Sequence, residues 1–553
     1  MKSKYAYLCV IAIVGSLLGM THHAGTLLTE DAGAAPAGDC ADRVDDRVYN
    51  QYGISGYWMF PDSDQCRSRR QVESVHKIGG DTIVTSSTEL RRSSREALQT
   101  DALFKDFTID GADGYTAAEG ALSAGESIER VFTYSAHYPF YSDALRCAGR
   151  SGAVDAGGKR YTYWLLPAGG EDACVAGDGK YSLVVAVNEN GEDDAALNTV
   201  SNAELYNMKA YLGMPVPQMG RPGTPGYPDY VADDSYTGTL GAFTRNLLRS
   251  WMQAFGAKAA FAGLYQGRET SVVHRATAVH QHTLNVYASQ NDVAASALPA
   301  EKRRVVFSPY ASFEDPGRAA YLEDRFRDIV HTGAGKVDVI LAPQDGVGTG
   351  RVSRSDKDSV ASPENVTTLY AAARSANASE TWANIELFIR NDSTCRAGSM
   401  TFTSDCSAHK ARIDRQIELA EPYAQKVLAY DWSMYMSRAR LSSDSQESLV
   451  AYLLRTGARD DAAGDNQPRP SAVLRRWGGR TVASRRGRYE PLLPHVGTMR
   501  HVSAGGESEA IGDGVATAIP TIRPVPRAAA PGGRLEAACV AARAVGPISA
   551  KGV

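Results

Sequence analysis

The chain has 553 residues, longer than one ordinary domain but within reach of an α/β barrel carrying additions. Apolar residues make up 43% and charged residues 22%, the proportions of a globular protein. The net charge of -4, with no P-loop or metal-finger pattern, argues against a nucleic-acid partner.

The N-terminus reads as an export signal. Lys2 and Lys4 precede an apolar run from Tyr7 to Met20, and a small-residue stretch ends at Ala35-Pro36-Ala37, an A-x-A-like cleavage site. A signal over 1–37 and a secreted or extracellular protein, with the cell envelope as an alternative, are therefore expected. The run is too short and too interrupted by Gly and Ser for a stable membrane span, although an uncleaved N-terminal anchor is the competing reading. Cys40 lacks the small-residue box of a lipoprotein. Local cysteine pairs fit disulfides in an oxidising compartment: Cys40 with Cys66, Cys147 with Cys174, and Cys395 with Cys406. Spacing alone leaves connectivity open, because six cysteines allow fifteen pairings, and Cys539 is left over. No C-x-x-C pair occurs, so zinc or redox chemistry is not expected.

Strand-like and helix-like runs then alternate. ISGYWMF (54–60) and DTIVTSS (81–87) read as strands around a helical RSRRQVESVHKIG. An insertion over 95–180 lacks clear periodicity, with RVFTYSAH and RYTYWLLPAG as a hairpin-like pair. YSLVVAVNENG (181–191) reads as the third strand, and AELYNMKAYLGM after it as amphipathic helix. A Gly/Pro loop, PVPQMGRPGTPGYPDY, precedes the helical LGAFTRNLLRSWMQAFGA. Four more strands begin near 260, 304, 337 and 382, each followed by a helical stretch, and an eighth begins near 427. Continuous apolar strands alternating with helices imply parallel strands covered on both faces. Eight such units predict a (β/α)8 TIM barrel over 38–456, with the insertion between strands 2 and 3. An open doubly wound sheet is the alternative, but no Gly-rich dinucleotide fingerprint follows the first strand. Beyond 457 the periodicity fades into a low-complexity tail, read as a small β segment around WGGRTVAS followed by disorder, or as an altered reading frame.

In parallel barrels the functional side chains lie where strands end. That rule selects Glu269 in FAGLYQGRET and Glu386 in TWANIELF as a catalytic pair, since two carboxyl groups across a pocket are the minimal equipment for cleaving a glycosidic bond. A retaining mechanism is expected, with Glu269 as acid/base and Glu386 as nucleophile. The plainer reading of each is a salt bridge, to Arg268 or Arg390. Asp345 in PQDGVG is a third candidate, binding a sugar hydroxyl, orienting Glu386, replacing one carboxylate, or only shaping its turn. Gln344, Asn384, Asp431, Tyr57, Trp58, Tyr265, Tyr310, Trp382 and Trp432 complete the expected sugar-binding set, because aromatic rings stack on apolar sugar faces and amides pair with hydroxyls. His274, His280 and His282 fall on a predicted helix and suggest a polar face rather than a metal site. No cofactor or metal is expected, and a monomer acting on a polysaccharide or oligosaccharide is.

FAGLYQGRE, VVFSPYAS, VDVILAPQDGVG, WANIELF and YDWSMYM resemble, in order, the strand signatures of a glycoside-hydrolase-like (β/α)8 barrel family labelled domain of unknown function 4434. PQDGVG followed by WANIE is the most specific part. The resemblance implies a secreted or envelope-associated barrel related to retaining glycosidases. It maps Glu269, Asp345 and Glu386 onto that family's strand-four Glu, Gln-Asp-Gly and Trp-Ala-x-x-Glu positions. Leu264 stands where an aromatic is usual, and Arg268 precedes Glu269 where many retaining barrel glycosidases have Asn. A non-catalytic carbohydrate-binding barrel and a surface scaffold remain the alternatives.

Overall fold

The computed structural model describes residues 45–48, 52–109, 113–140, 147, 149–188, 194–220, 231–272, 277–313, 321–356, 358–389, 406–408 and 410–432. The predicted signal (1–37), Cys40, His274, Arg390, Cys395 and the tail (457–553) lie outside them.

Eight parallel strands close a barrel: β1 (Gly56–Met59), β2 (Thr82–Thr85), β3 (Lys209–Gly213), β4 (Phe261–Gln266), β5 (Arg304–Phe307), β6 (Asp338–Leu341), β7 (Glu380–Glu386) and β8 (Lys426–Tyr430). They are joined in chain order, and closure pairs Gly56 of β1 with Leu428 of β8. Among the described residues, seven helices of 11 residues or more fill the connections, α1 (Gln65–Lys77), α2 (Ala195–Leu205), α3 (Thr237–Phe255), α4 (Thr277–Ala297), α5 (Leu322–Thr332), α6 (Pro363–Ser375) and α7 (Lys410–Ala420). Several begin where the sequence supplies a cap. Asp64 accepts from the Arg67 N–H at the start of α1, Asp194 accepts from the Leu197 N–H at α2, and Pro363 sits in the first turn of α6.

The two-residue period of each strand sorts its side chains. On β7 and just past it, Ala383, Ile385 and Leu387 join the layer beneath the helices, whereas Trp382 belongs to the barrel interior with Trp58, Tyr211, Tyr265, Val306 and Leu428. Asn384 and Glu386 share the parity of Trp382 and continue its row toward the C-terminal rim.

The expected third strand belongs elsewhere. Lys180–Asn188 is a central strand of a separate six-stranded sheet, and the true β3 emerges from the stretch read as amphipathic helix. The cause is burial on both faces. Tyr181, Leu183, Val185 and Val187 pack against the insertion's own small core, and Val184 and Ala186 against the main core. The apolar run therefore imitates a barrel strand. The insertion accordingly extends past 180 and includes strands Glu89–Ser93, Ser127–Ala136, Ser151–Ala156 and Lys159–Pro167. RVFTYSAH and RYTYWLLPAG do not pair as a hairpin. Both pair with Lys180–Asn188, the former parallel and the latter antiparallel. Helix α3 covers this sheet, with Phe243 edge-on to Trp164 at 5.4 Å. Beyond β3, the short strand Val216–Pro217 adds to the sheet edge by pairing with Glu89–Ser93.

Cys147 and Cys174 form a disulfide within the insertion, and Cys66 is disulfide-bonded as well. Among the described residues no helix is long and apolar enough to cross a membrane.

Candidate active site

Glu386 ends β7 and is 3% exposed. The loop after β6, which carries PQDGVGTG, folds directly against it. The Thr349 backbone N–H donates to Glu386 Oε2 at 2.6 Å, and the Thr349 hydroxyl donates to Oε1 at 3.2 Å. Donors on both oxygens favour the ionised carboxylate. The glycines of the motif permit this approach. Gly346 has φ of +59°, and a Cβ on Gly348 would lie 2.3 Å from the Phe388 carbonyl oxygen and 2.9 Å from Glu386 Cβ.

Asp345 supports Glu386 from behind. It is fully buried, and its Oδ1 accepts from the backbone N–H groups of Glu386 at 3.2 Å and Val347 at 3.1 Å, while Gln416 donates to Oδ2 at 2.5 Å. Arg412, also fully buried, donates to the carbonyls of Glu386 and Phe388 at 2.9 and 2.7 Å. Burial first, and then the charge of Glu386, push the Asp345 carboxyl up to about 7, against the pull of Gln416, the Val347 N–H and Arg412. Direct contact between Asp345 and a sugar has no room here. Of the roles read from the sequence, the geometry leaves the shaping of its turn and the orientation of Glu386.

Glu269 lies three residues past β4 and is half-buried. Tyr265, an inward-facing residue of β4, donates its hydroxyl to Glu269 Oε1 at 3.2 Å, and Gln344 also hydrogen-bonds the carboxylate. Desolvation holds the Glu269 carboxyl above the usual carboxylate range. Gln344, Tyr265 and the Arg351 charge pull it down, and the charge of Glu386 adds to the rise. The salt bridge to Arg268 does not form. Arg268 turns away to Glu89 at 3.1 Å and to the carbonyl of Pro217.

Around the two glutamates, Gln344 bridges to β5 through the Ser308 carbonyl at 3.2 Å. Asn384 donates to the Ser308 hydroxyl at 2.9 Å, and its side-chain oxygen is buried with no partner among the described residues. Half-buried Tyr310 carries the Arg351 guanidinium 4.5 Å above its ring. Tyr430 pairs in register with Glu386.

Other expected sugar ligands lie elsewhere. Trp382 closes the opposite end of the barrel, edge-on to Tyr211 at 5.4 Å, with its indole N–H donated to Glu380 at 2.7 Å. Tyr57 faces the helical layer and packs on Trp432 at 5.0 Å, and both are buried. Trp58 points into the barrel, edge-on to Tyr265 at 5.7 Å, and is 4% exposed. Asp431 is buried at the end of β8. No stacking platform is therefore supplied by Tyr57, Trp382 or Trp432. The sequence reading missed Thr349, Arg351, Arg412 and Gln416. Thr349 and Arg351 follow the PQDGVG motif closely, so the loop itself carried a signal. Arg412 and Gln416 gave none, because an Arg and a Gln on an amphipathic helix read as solvent-facing. His282 pairs with Asp234 at 3.0 Å, and among the described residues no cluster of three or more His, Cys, Asp or Glu could hold a metal ion.

Among solved structures, similarity is found to one described as a "putative alpha-L-fucosidase" from Bacteroides thetaiotaomicron, with 14% identity, a TM-score of 0.40, and coverage of 76% of this chain and 98% of that one. It is also found to the intracellular xylanase TsXylA from Thermoanaerobacterium saccharolyticum, with 13% identity, a TM-score of 0.30, and coverage of 48% and 81%. No curated protein matches the sequence. The family model described as Domain of unknown function (DUF4434) matches residues 177–441, a span containing β3 to β8 with Glu269, Asp345 and Glu386, and over it the resemblance read from the strand motifs holds.

Proposed function

We propose that this protein is a secreted glycoside hydrolase that cleaves a polysaccharide through Glu269 as acid/base and Glu386 as nucleophile. The observation that carries the reading is the opposed treatment of two carboxyl groups on one barrel rim. Glu269 is held above its usual range by desolvation and by the charge of Glu386, which suits a proton donor. Glu386 receives two donors from Thr349, which suits a charged nucleophile.

Protonation of the leaving oxygen by Glu269 would leave an oxocarbenium-like sugar facing Glu386. At 3% exposure, Glu386 has little room for the water that an inverting base must hold, which favours attack by the carboxylate itself and retention. Glu269, now ionised, would then activate the water that releases the sugar. The unpartnered Asn384 oxygen and the Gln344 amide supply polar contacts for sugar hydroxyls. Export is supported by the signal-like N-terminus and by the Cys147–Cys174 disulfide.

The test is a screen of the full-length protein on bacterial, fungal and plant polysaccharides, with product anomers followed by NMR. Retained configuration is expected. Binding without cleavage across the screen would favour a carbohydrate-binding barrel instead.

A further inference from the structure

We propose that Arg351 forms an anion subsite beside Glu269, and that the glycan taken by this site carries a uronic acid whose carboxylate pairs with that guanidinium. The inference rests on the glycoside-binding reading above and narrows its substrate class.

Among the described residues three arginines stand near the two carboxylates, and two are committed. Arg268 is tied to Glu89 and the Pro217 carbonyl, and Arg412 is buried against backbone carbonyls. Arg351 differs. Its guanidinium lies over the Tyr310 ring at 4.5 Å and makes no hydrogen bond or ion pair among the described residues. It is half-buried, on the loop that also supplies Thr349 to Glu386, and its charge acts on Glu269. A guanidinium held flat on a ring keeps its N–H edge available, with up to five donors in a fixed fork. Such a fork matches the two oxygens of a planar carboxylate, and partial burial strengthens the pairing relative to open water.

The placement also fits the proposed chemistry. The Arg351 cation pulls the Glu269 carboxyl down. A bound uronate would cancel that pull, so the acid would hold its proton more firmly with the acidic sugar in place. Tyr310, clamped beneath the guanidinium, keeps the fork in one orientation and reduces the ordering cost of binding.

The experiment measures binding by calorimetry at fixed ionic strength, using the full chain with Glu386→Gln so that nothing is cleaved. The probes are oligosaccharides of galacturonate, glucuronate and mannuronate, each paired with its carboxyl-reduced neutral counterpart, and a sulfated neutral glycan. At least one acidic oligosaccharide should bind about tenfold or more tightly than its reduced form, the worth of one charge-assisted pair. Arg351→Gln should abolish that preference while leaving affinity for the reduced form unchanged, and Arg351→Lys should recover only part of it. Equal affinity within every pair, binding to none of the pairs, tighter binding of the sulfated glycan, or an undiminished preference in Arg351→Gln would each overturn the proposal. Hydrolysis by the unsubstituted protein separates the two readings. Cleavage of neutral glycans alone keeps the hydrolase and removes the uronate subsite. Selective binding of an acidic glycan that is never cleaved keeps the subsite and removes the hydrolase.

Discussion

The ends of β7 and β4 each present a glutamate to the same rim, but they hold it by different means. At β7 the carboxylate, its backbone N–H and its carbonyl are all engaged, by Thr349, Asp345, Arg412 and Gln416. At β4 the carboxylate has, among the described residues, one tyrosine and one glutamine as hydrogen-bond partners and sits past the last paired residue of its strand. A nucleophile must be charged and must not wander, which a rigid scaffold provides. An acid/base must change protonation in each half of the cycle, which a looser and poorly solvated position permits. The difference in support thus follows the difference in assigned role.

The sharpest attempt to break this comparison is Glu386→Gln. It keeps shape and most hydrogen-bonding capacity, so turnover should fall on the order of 10³-fold or more while the thermal midpoint stays nearly unchanged. Activity close to that of the parent would end its assignment as nucleophile. Glu269→Ala should cost roughly 10²- to 10⁴-fold on substrates with poor leaving groups and much less on activated aryl glycosides. Uniform loss across both would move the acid role elsewhere.

The pH profile sharpens the same point. The acid must be protonated, so kcat/KM should fall as pH rises through the raised Glu269 value. Because the Arg351 charge lowers that value, Arg351→Gln should shift the alkaline limb to higher pH. A limb that moves downward or stays in place would show that another group controls it.

Asp345→Ala should act through position. It leaves the N–H groups of Glu386 and Val347 without their acceptor, at roughly 1–3 kcal/mol each, and should lower kcat more than it raises KM. Asp345→Asn carries a distinct signature. Asp345 binds its proton more tightly folded than unfolded, so its contribution to stability is complete below the ordinary Asp range and is lost as pH rises toward about 7. The Asn variant should therefore show a flatter decline in thermal midpoint between about pH 4 and 7, the interval set by those two values. An unchanged slope would mean that Asp345 is not the group responsible.

The smallest effect on catalysis is expected from the paired substitution Cys147→Ser with Cys174→Ser. The bridge closes a loop with a sequence separation of 27, so its removal should cost roughly 3–4 kcal/mol in the unfolding of the insertion. Catalysis at the rim should persist below that transition, and early loss of activity would show that the insertion shapes the pocket directly.

Much of this was legible in the sequence because a parallel barrel writes itself plainly. Strands buried on both faces appear as unbroken apolar runs, and their ends fall where polar residues begin. The same rule misled at Lys180–Asn188, where a sheet buried between two cores produced the same unbroken run, while β3 is five residues long and followed a helix without a conspicuous break. Tyr57 and Trp382 lie away from the two glutamates for a geometric reason, whereas Tyr265 and Tyr310 stand beside Glu269 and Arg351. Adjacent residues of a strand face opposite ways, so Tyr57 and Trp58 do not share the interior. Trp382 does share the face of Glu386, but four residues at about 3.3 Å each place it about 13 Å below the rim. Arg412 and Gln416 were illegible because their partners, the backbone carbonyls of Glu386 and Phe388 and the side chain of Asp345, lie far from them in the chain, which no local pattern announces.

The bond from Arg268 to Glu89 and Pro217 has a consequence for the descent of this chain. It fastens the first strand of the insertion and the segment beyond β3 to the residue immediately before Glu269. An insertion joined only at its two ends can be lost, lengthened or exchanged between lineages as a cassette. One whose first strand holds the neighbour of the proposed acid/base carboxylate should not be replaceable without disturbing Glu269. A chimera that imports a foreign insertion should thus recover function only if it brings its own acidic partner for Arg268.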